Sequence, residues 1–467
     1  MSAVFNTILI LLALALLYGY SKKISYILPV MFFLLYQYLW TLMSCAYNEQ
    51  GAYLPDMGAT IGFTFSALRL FIFYGVFLLG TLFANSLFEA RARSKTGRGG
   101  SKEQDFAISV PKQNELLILS ALFVSTVLIA IVALNLIISG SVFANPDITR
   151  FNFYTEYSCI SIAKYIGYLY CAISVFCGLV FFCNKSNFLR AWALLLFGVM
   201  LICIRGAGEE AGGLISNSLF FLMPFFVQLF HNLHLDVNKK KLRIALICAA
   251  VVLLAIFMTK YVAMRDITAY GASDQNSFWF RFLNAQSETW SAGDALYLAN
   301  GSPDFNQLGV EMLSLFGLAP DHTYGIWYLM FQTMPSAEAT RYILGNGTIN
   351  AGYPLINIYI YGYFFGAIVM FFDGIVYFLF CHYFYEKLLK QQVVRATLMS
   401  LVFSSATNVI TMGGIWYIGN LIPVACMITL AFIEMLDAAA RKRTGSTLNV
   451  YKRSEPAGNR HRGVQNR

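Results

Sequence analysis

The chain is 467 residues long, 58% hydrophobic and only 12% charged, with a mean hydropathy of +0.60. A water-soluble protein of this length cannot bury that much apolar surface, so composition excludes a soluble enzyme and implies a polytopic membrane protein. The net charge of +9 could suit nucleic acid, but its placement along the chain assigns it to membrane anchoring, and no nucleic-acid partner is expected.

Taken in order, each apolar run of roughly 17–25 residues reads as a spanning helix, because about 20 helical residues cross the hydrocarbon core. Eleven such runs occur: 4–20, 24–44, 60–85, 115–139, 158–183, 189–204, 213–231, 243–260, 354–384, 396–412 and 415–436. The first lacks a basic leader and a small-residue cleavage site, so Val4 to Tyr20 reads as a retained span. The run 354–384 is longer than a crossing needs and is expected to tilt or protrude. Only the tight Met412-Gly413-Gly414 turn separates the last two runs. The expected fold is all-α: a polytopic membrane helical bundle of about eleven spans with one large external loop. It divides into an N-terminal transmembrane bundle (1–260), the loop (261–353), C-terminal transmembrane helices (354–436) and a basic tail (437–467).

Orientation follows from Lys and Arg placement. One set of connectors holds Lys22, Lys23, six basic residues between Arg91 and Lys112, Lys185, Arg190, Lys239, Lys240, Lys241, Arg243, Lys387, Lys390 and Arg395, and the tail after Arg441 adds more. The opposite set holds only Arg150, Arg205, Lys260, Arg265, Arg281 and Arg341, while Arg69 and Lys164 fall inside spans. The first set and the C-terminus are therefore expected in the cytoplasm, with the N-terminus and the large loop outside. The glycine-rich basic stretch from Arg91 to Gly100 reads as a linker near anionic headgroups.

Nine cysteines are present, mostly within apolar runs and without a C-x-x-C pair, so neither a disulfide framework nor a zinc site is indicated. No phosphate-cradling loop, dinucleotide fingerprint or aspartate cluster is visible. No cofactor and no metal are expected.

An arginine on the translocated side has no anchoring duty. The loop carries Arg265, Arg281 and Arg341 against Asp266, Asp274, Glu288, Asp294, Asp304, Glu311, Asp321 and Glu338, so its few cations are either ion-paired or gathered at a site. Arg205 opens the turn Arg205-Gly-Ala-Gly208-Glu209-Glu210-Ala-Gly-Gly213 at a span end. An arginine at a membrane boundary needs a carboxylate or a bound anion. The glycines and the following helix start would admit a phosphate, and an Arg205–Glu209 or Arg205–Glu210 pair is the structural alternative. Arg281 lies in Phe278-Trp279-Phe-Arg281-Phe and Arg265 follows a span end. Both suit either headgroup snorkelling or bidentate phosphate binding. His322 is the one histidine expected outside, beside Asp321 and near Trp327. Its imidazole could take a proton from a hydroxyl or face a phosphate, or simply bond to backbone. Trp279, Trp290 and Trp327 are either an interfacial belt or sugar-stacking platforms.

Arg341 precedes Gly352 by eleven residues, a spacing that Arg69 and Gly80 repeat within a span. More informative is Gly345-Asn-Gly347-Thr-Ile-Asn350-Ala-Gly352-Tyr-Pro354, which enters an aromatic span containing Tyr361-Gly-Tyr-Phe-Phe-Gly366. The Arg-Gly turn, the single large loop and this entry resemble the Wzy-type oligosaccharide repeat-unit polymerases over most of the chain by architecture. The resemblance implies a GT-C-like glycosyltransferase of the bacterial inner membrane. It would join undecaprenyl-pyrophosphate-linked repeat units outside that membrane, for O-antigen, capsule or common antigen.

Its implied partners are a lipid-linked oligosaccharide donor and acceptor, membrane lipid, and a chain-length regulator protein. It further implies that Arg205, Arg265, Arg281 and Arg341 grip the pyrophosphate. In such a mechanism the acceptor hydroxyl would be deprotonated by His322, Glu338, Glu209 or Glu210, and Trp279, Trp290 and Trp327 would stack on sugars. An O-antigen ligase shares the donor and fold. A lipid-linked oligosaccharide flippase or transporter tends to show internal repeats and interrupted helices at mid-membrane, whereas this sequence shows no convincing repeat and its polar residues gather outside and not at mid-depth.

Overall fold

A run of about 20 apolar residues in lipid has one way to satisfy its backbone polar groups without partners, which is to form a helix. In a computed structural model, which describes residues 2–54, 56–96, 115–145, 147–148, 152–209, 211–235, 284–344 and 353–453, that rule accounts for nearly every element. The elements are α1 (Ser2–Lys23), α2 (Leu28–Asn48), a two-stranded hairpin of β1 (Tyr53–Leu54) and β2 (Ala59–Thr60), α3 (Ser66–Thr96) and α4 (Glu115–Ser139). A π-helical turn, Phe153–Tyr157, precedes α5 (Ile162–Gly167), α6 (Tyr170–Cys183), α7 (Asn187–Gly206) and α8 (Ala211–Leu235). Four short helices follow: α9 (Glu288–Asn300), α10 (Phe305–Ser314), α11 (Gly325–Thr333) and α12 (Ser336–Leu344). The chain continues through α13 (Tyr353–Leu389), α14 (Val393–Met412), α15 (Trp416–Gly419) and α16 (Leu421–Arg453).

Among the described residues nine helices are long and apolar enough to cross a membrane. They match nine of the eleven expected runs, so the protein is an all-α, multi-pass helical membrane protein. The run 158–183 differs. It breaks at Tyr168–Leu169 into α5 and the 14-residue α6. The run 243–260 lies outside the described residues. Met412 ends α14 with Gly413 in the left-handed region, which reverses the chain into α15 and α16.

The run at 354–384 is not one helix. Gly362 takes φ 75° and ψ 176°, a region open essentially to glycine alone, and folds the chain back on itself. Residues 353–361 form a short buried helix that starts at Pro354, a residue suited to a first helical turn. They lie against the helix that follows, since a Cβ on Gly366 would sit 3.0 Å from the Asn357 carbonyl oxygen. Asn357 also reaches the Met370 sulfur at 3.2 Å, and Tyr353 and Asn357 lie beside Asp373. At 1.5 Å per residue, Asp373 stands about 16 Å along the spanning helix from Gly362. The short helix is therefore re-entrant, and the interrupted element that the sequence hides is present.

Helix ends gather in two sets. At one, Tyr26 meets Asn85, His382 and Tyr385. At the other, Asn6 meets Ala46 and Glu49, and α9–α12 cover the bundle. Two apolar cores run between these ends. The larger joins α1–α3 to α9 and α11–α16. The smaller joins α4–α7, and α6 and α8 contribute to both. One very close crossing is between α3 and α13. Cβ atoms added at Gly80 and Gly374 would each lie 2.1 Å from a carbonyl oxygen of the other helix, so only two hydrogens separate these backbones.

Candidate functional site

The loop-side layer is held down by polar residues at the ends of α2 and α3. Glu49 accepts from the Ser66 amide at the start of α3, and Asn6 donates to its other oxygen at 3.0 Å. Asn48 donates to the Asn284 carbonyl and to Ser287. Glu288 accepts from the Asp56 amide at 2.9 Å. Each bond supplies a partner to a helix-terminal group that would otherwise be buried and unmet.

At the centre is an ion pair. Arg69, in the first turn of α3, directs Nε at 2.9 Å and Nη2 at 2.5 Å onto the Asp294 carboxylate of α9. Nη2 also donates to the Thr64 carbonyl at 2.7 Å. Asp294 is wholly buried and accepts in addition from the Tyr363 hydroxyl at 2.9 Å, while the Tyr363 ring lies 5.7 Å from the guanidinium. Both carboxylate oxygens are thus occupied, the condition under which a buried pair survives its desolvation. Arg69 therefore stands at the loop-side entry to its span with a fixed orientation, and its side chain keeps 19% exposure. Next to it, Tyr359 donates to the Gly293 carbonyl at 3.0 Å, and Tyr297 meets Tyr359 and Tyr363 edge-on or tilted.

A second carboxylate lies where α10 meets the start of α11. Glu311 is almost fully buried. Its Oε1 accepts from the Gly325 amide at 2.5 Å, at the start of α11, and from Gln307 at 3.0 Å. Oε2 has no hydrogen-bond partner among the described residues. Burial raises this carboxyl above its ordinary value of 4.5, opposed by the Gly325 amide and the Gln307 side chain. The Tyr361 phenol lies within electrostatic reach of both Glu311 and Asp373. Asp304 caps α10 through the Asn306 and Gln307 amides, and the half-buried Tyr328 hydroxyl, raised by desolvation and by Asp304, reaches it at 3.4 Å.

The residues singled out from the sequence separate. His322 is half-buried, has the left-handed φ of 61°, and sets its ring edge-on to Trp327 at 5.2 Å. Trp327 stacks on Trp416 at 5.4 Å, and Tyr324 meets both. This aromatic group closes over the α14–α16 turn. Glu338 and Arg341 pair with each other at 2.7 Å on an exposed turn of α12. Arg341 remains largely open, but this carboxylate already has its own cation.

Trp290 is fully buried and donates to the Ser66 carbonyl at 3.2 Å, so it presents no face on which a sugar could stack. Arg205 is exposed, and Nη1 donates to the Glu209 carbonyl at 3.3 Å. Glu209 packs its side chain against Gly213. The Arg205–Glu209 turn rests on α4 and the π-helical turn, where Val142 donates to the Gly206 carbonyl at 2.9 Å. It belongs to the smaller helix group and is not gathered with His322, Glu338 and Arg341. Arg265, Arg281, Trp279 and Glu210 lie outside the described residues.

Sequence reasoning missed Arg69, Asp294, Glu311, Asp373 and Trp416. One signal was available. Arg69 stands four residues into an apolar helix, where a cation needs a partner, and Asp294 is one of few carboxylates able to supply it.

The stretch 319–423 matches a family model described as a family of unknown function, DUF6418. It takes in His322, α11, α12, the Gly362 reversal, Asp373 and Trp416. No curated protein and no solved structure matches the chain.

Proposed function

We propose that the protein is a GT-C-like membrane glycosyltransferase that polymerises undecaprenyl-pyrophosphate-linked oligosaccharide repeat units. It would act at the bacterial inner membrane with the α9–α12 layer and the N-terminus outside, and the C-terminus in the cytoplasm. The observation that carries the proposal is the layer itself. Four short helices bearing aromatic and ionisable side chains are clamped over one end of a helical bundle, beside an arginine fixed at the membrane boundary.

In the reaction, the anomeric carbon of the growing chain bonds to a hydroxyl of the acceptor repeat unit, and the bond to the lipid pyrophosphate breaks. The hydroxyl proton passes to a carboxylate or imidazole: His322 or Glu338 if the reaction centre lies in the α9–α12 layer, Glu209 or Glu210 if it lies at the separate Arg205 turn. The leaving pyrophosphate takes the electron pair, and Arg205, Arg265, Arg281 and Arg341 would stabilise its charge. Trp327, with Trp416 beside it, is the platform best placed to meet a sugar ring.

The test is reconstitution of the purified chain with a lipid-linked repeat unit, followed by gel analysis of products. A ladder of lengths supports the polymerase. A single transfer to lipid A core without lengthening identifies an O-antigen ligase. A second reading, a lipid-linked oligosaccharide transporter, gains from the interrupted α13 and from Asp373 within it, since broken helices mark transport sites. Movement of substrate across the vesicle membrane without elongation would establish that reading instead.

A further inference from the structure

Helix α10 is built inside out. Gln307, Glu311 and Ser314, spaced i, i+4 and i+7, are its buried residues, so its polar stripe faces the protein. Apart from Leu308, which packs on the larger core, its largest apolar side chains face away, with Met312 51% exposed, Phe316 75% and Leu318, just beyond the helix, 69%. From Phe305 to Leu318 the only charged residue is Glu311, and it points inward.

Water would favour the opposite rotation, since burying one such side chain is worth about 1.5–3 kcal/mol. Lipid favours the rotation seen. The exposed face is also continuous with the ends of spans. Leu315 of this stretch packs tightly on Gly419 of α15, and Pro303, just before α10, packs on Gly362. The first turns of the adjoining spans expose Phe364, Phe365 and Leu421.

We propose that α10 lies in the plane of the membrane, in the leaflet on the α9–α12 side, with its apolar face among bilayer acyl chains. Its polar face, which carries Glu311, then turns inward against the start of α11. The inference needs only that the protein spans a membrane and does not rest on the proposed reaction.

The experiment places p-benzoylphenylalanine singly at Met312, Leu313 or Phe316, with exposed Thr340 of α12 as the water-facing position. The full chain is reconstituted in vesicles of one synthetic phosphatidylcholine, irradiated, and analysed by mass spectrometry. The expected result is a phosphatidylcholine adduct at the three α10 positions and none at Thr340. Three outcomes would overturn the proposal. Absence of lipid adducts would place the face in water, and crosslinked dimers would make a second copy its cover. Adducts that appear only after a polyprenyl phosphate is added would make the face a dock for that tail and not a bilayer contact. A misfolded variant is recognised before reconstitution by a Tm or elution volume in detergent that departs from the wild type.

Discussion

The two helix groups solve the problem of burial differently. In the group α4–α7 the interior is almost purely apolar, relieved by neutral contacts such as Asn135 to Ser158 and Trp192 to Thr126. Its tightest approach is to α8, where Gly178 meets the Phe221 carbonyl. In the group of α1–α3, α9 and α11–α16, the backbones approach as closely at Gly80 and Gly374. This group, with α10 packed on it, also contains every buried charged side chain among the described residues: Glu49, Glu288, Asp294, Glu311 and Lys387. Removing a charge from water is costly and adds nothing to stability that a leucine would not. Four of those five lie at the loop-side end. Charge was kept there for position, and that is where chemistry is to be sought.

The sharpest way to break this contrast is Asp294→Asn. The amide keeps the shape but leaves the Arg69 guanidinium half-buried without its counter-charge, a loss expected at about 3–5 kcal/mol. Thermal unfolding of the purified protein in detergent should show it as a large fall in Tm, and elongation should fail as well. The double variant Arg69→Met with Asp294→Leu should recover most of the Tm but not the activity. If the asparagine variant melts like the wild type, the clamp does not organise the layer.

How far this was visible in the sequence depends on range. The nine spans and the grouping of basic residues were legible, because an apolar run of the right length in lipid has little choice but helix. The turn at Gly413 was equally local. The reversal at Gly362 was not, since hydropathy continues unchanged through Tyr361-Gly-Tyr363 and only the backbone dihedral records the break. Arg69 and Asp294 are separated by 225 residues, and no periodicity links them. The stripe of α10 reads like that of an ordinary surface helix, and only its solvent decides which face turns inward.

Glycine contacts test whether the two groups share their packing rule. Gly80→Ala and Gly178→Ala each place a methyl about where a carbonyl oxygen now stands, 2.1 Å from the built Cβ in both cases. Overpacking of this kind typically costs about 1–3 kcal/mol, so the two Tm losses should be similar. Elongation per folded molecule should fall for Gly80→Ala, which shifts α13 and the re-entrant helix. It should hold for Gly178→Ala. Equal loss of activity in both would dissolve the functional distinction between the groups.

A smaller effect is expected from Glu311→Gln, and it should depend on pH. Burial raises the carboxyl in the folded chain, so folding takes up a proton once pH exceeds the ordinary 4.5. Wild-type stability then declines as pH rises through the folded value. Glutamine keeps an acceptor for the Gly325 amide and cannot titrate. The variant's Tm advantage should be least in acid, grow with rising pH and then level off. An advantage that shrinks as pH rises would mean that the carboxylate is favoured in the fold.

Arg205→Ala should have the smallest effect on stability and yet a decisive one on function. The side chain is exposed, and its hydrogen bond goes to a carbonyl of its own turn, so the Tm should move by no more than about 0.5 kcal/mol equivalent. On the proposed reading long polymer should nevertheless disappear, because this exposed guanidinium is one of those that hold the pyrophosphate. Arg205→Lys keeps the charge but loses the planar fork, and should give shortened chains where alanine gives none. Wild-type polymer from the alanine variant would confine phosphate binding to the group that holds Arg69 and Asp294. The smaller helix group would then be scaffold alone.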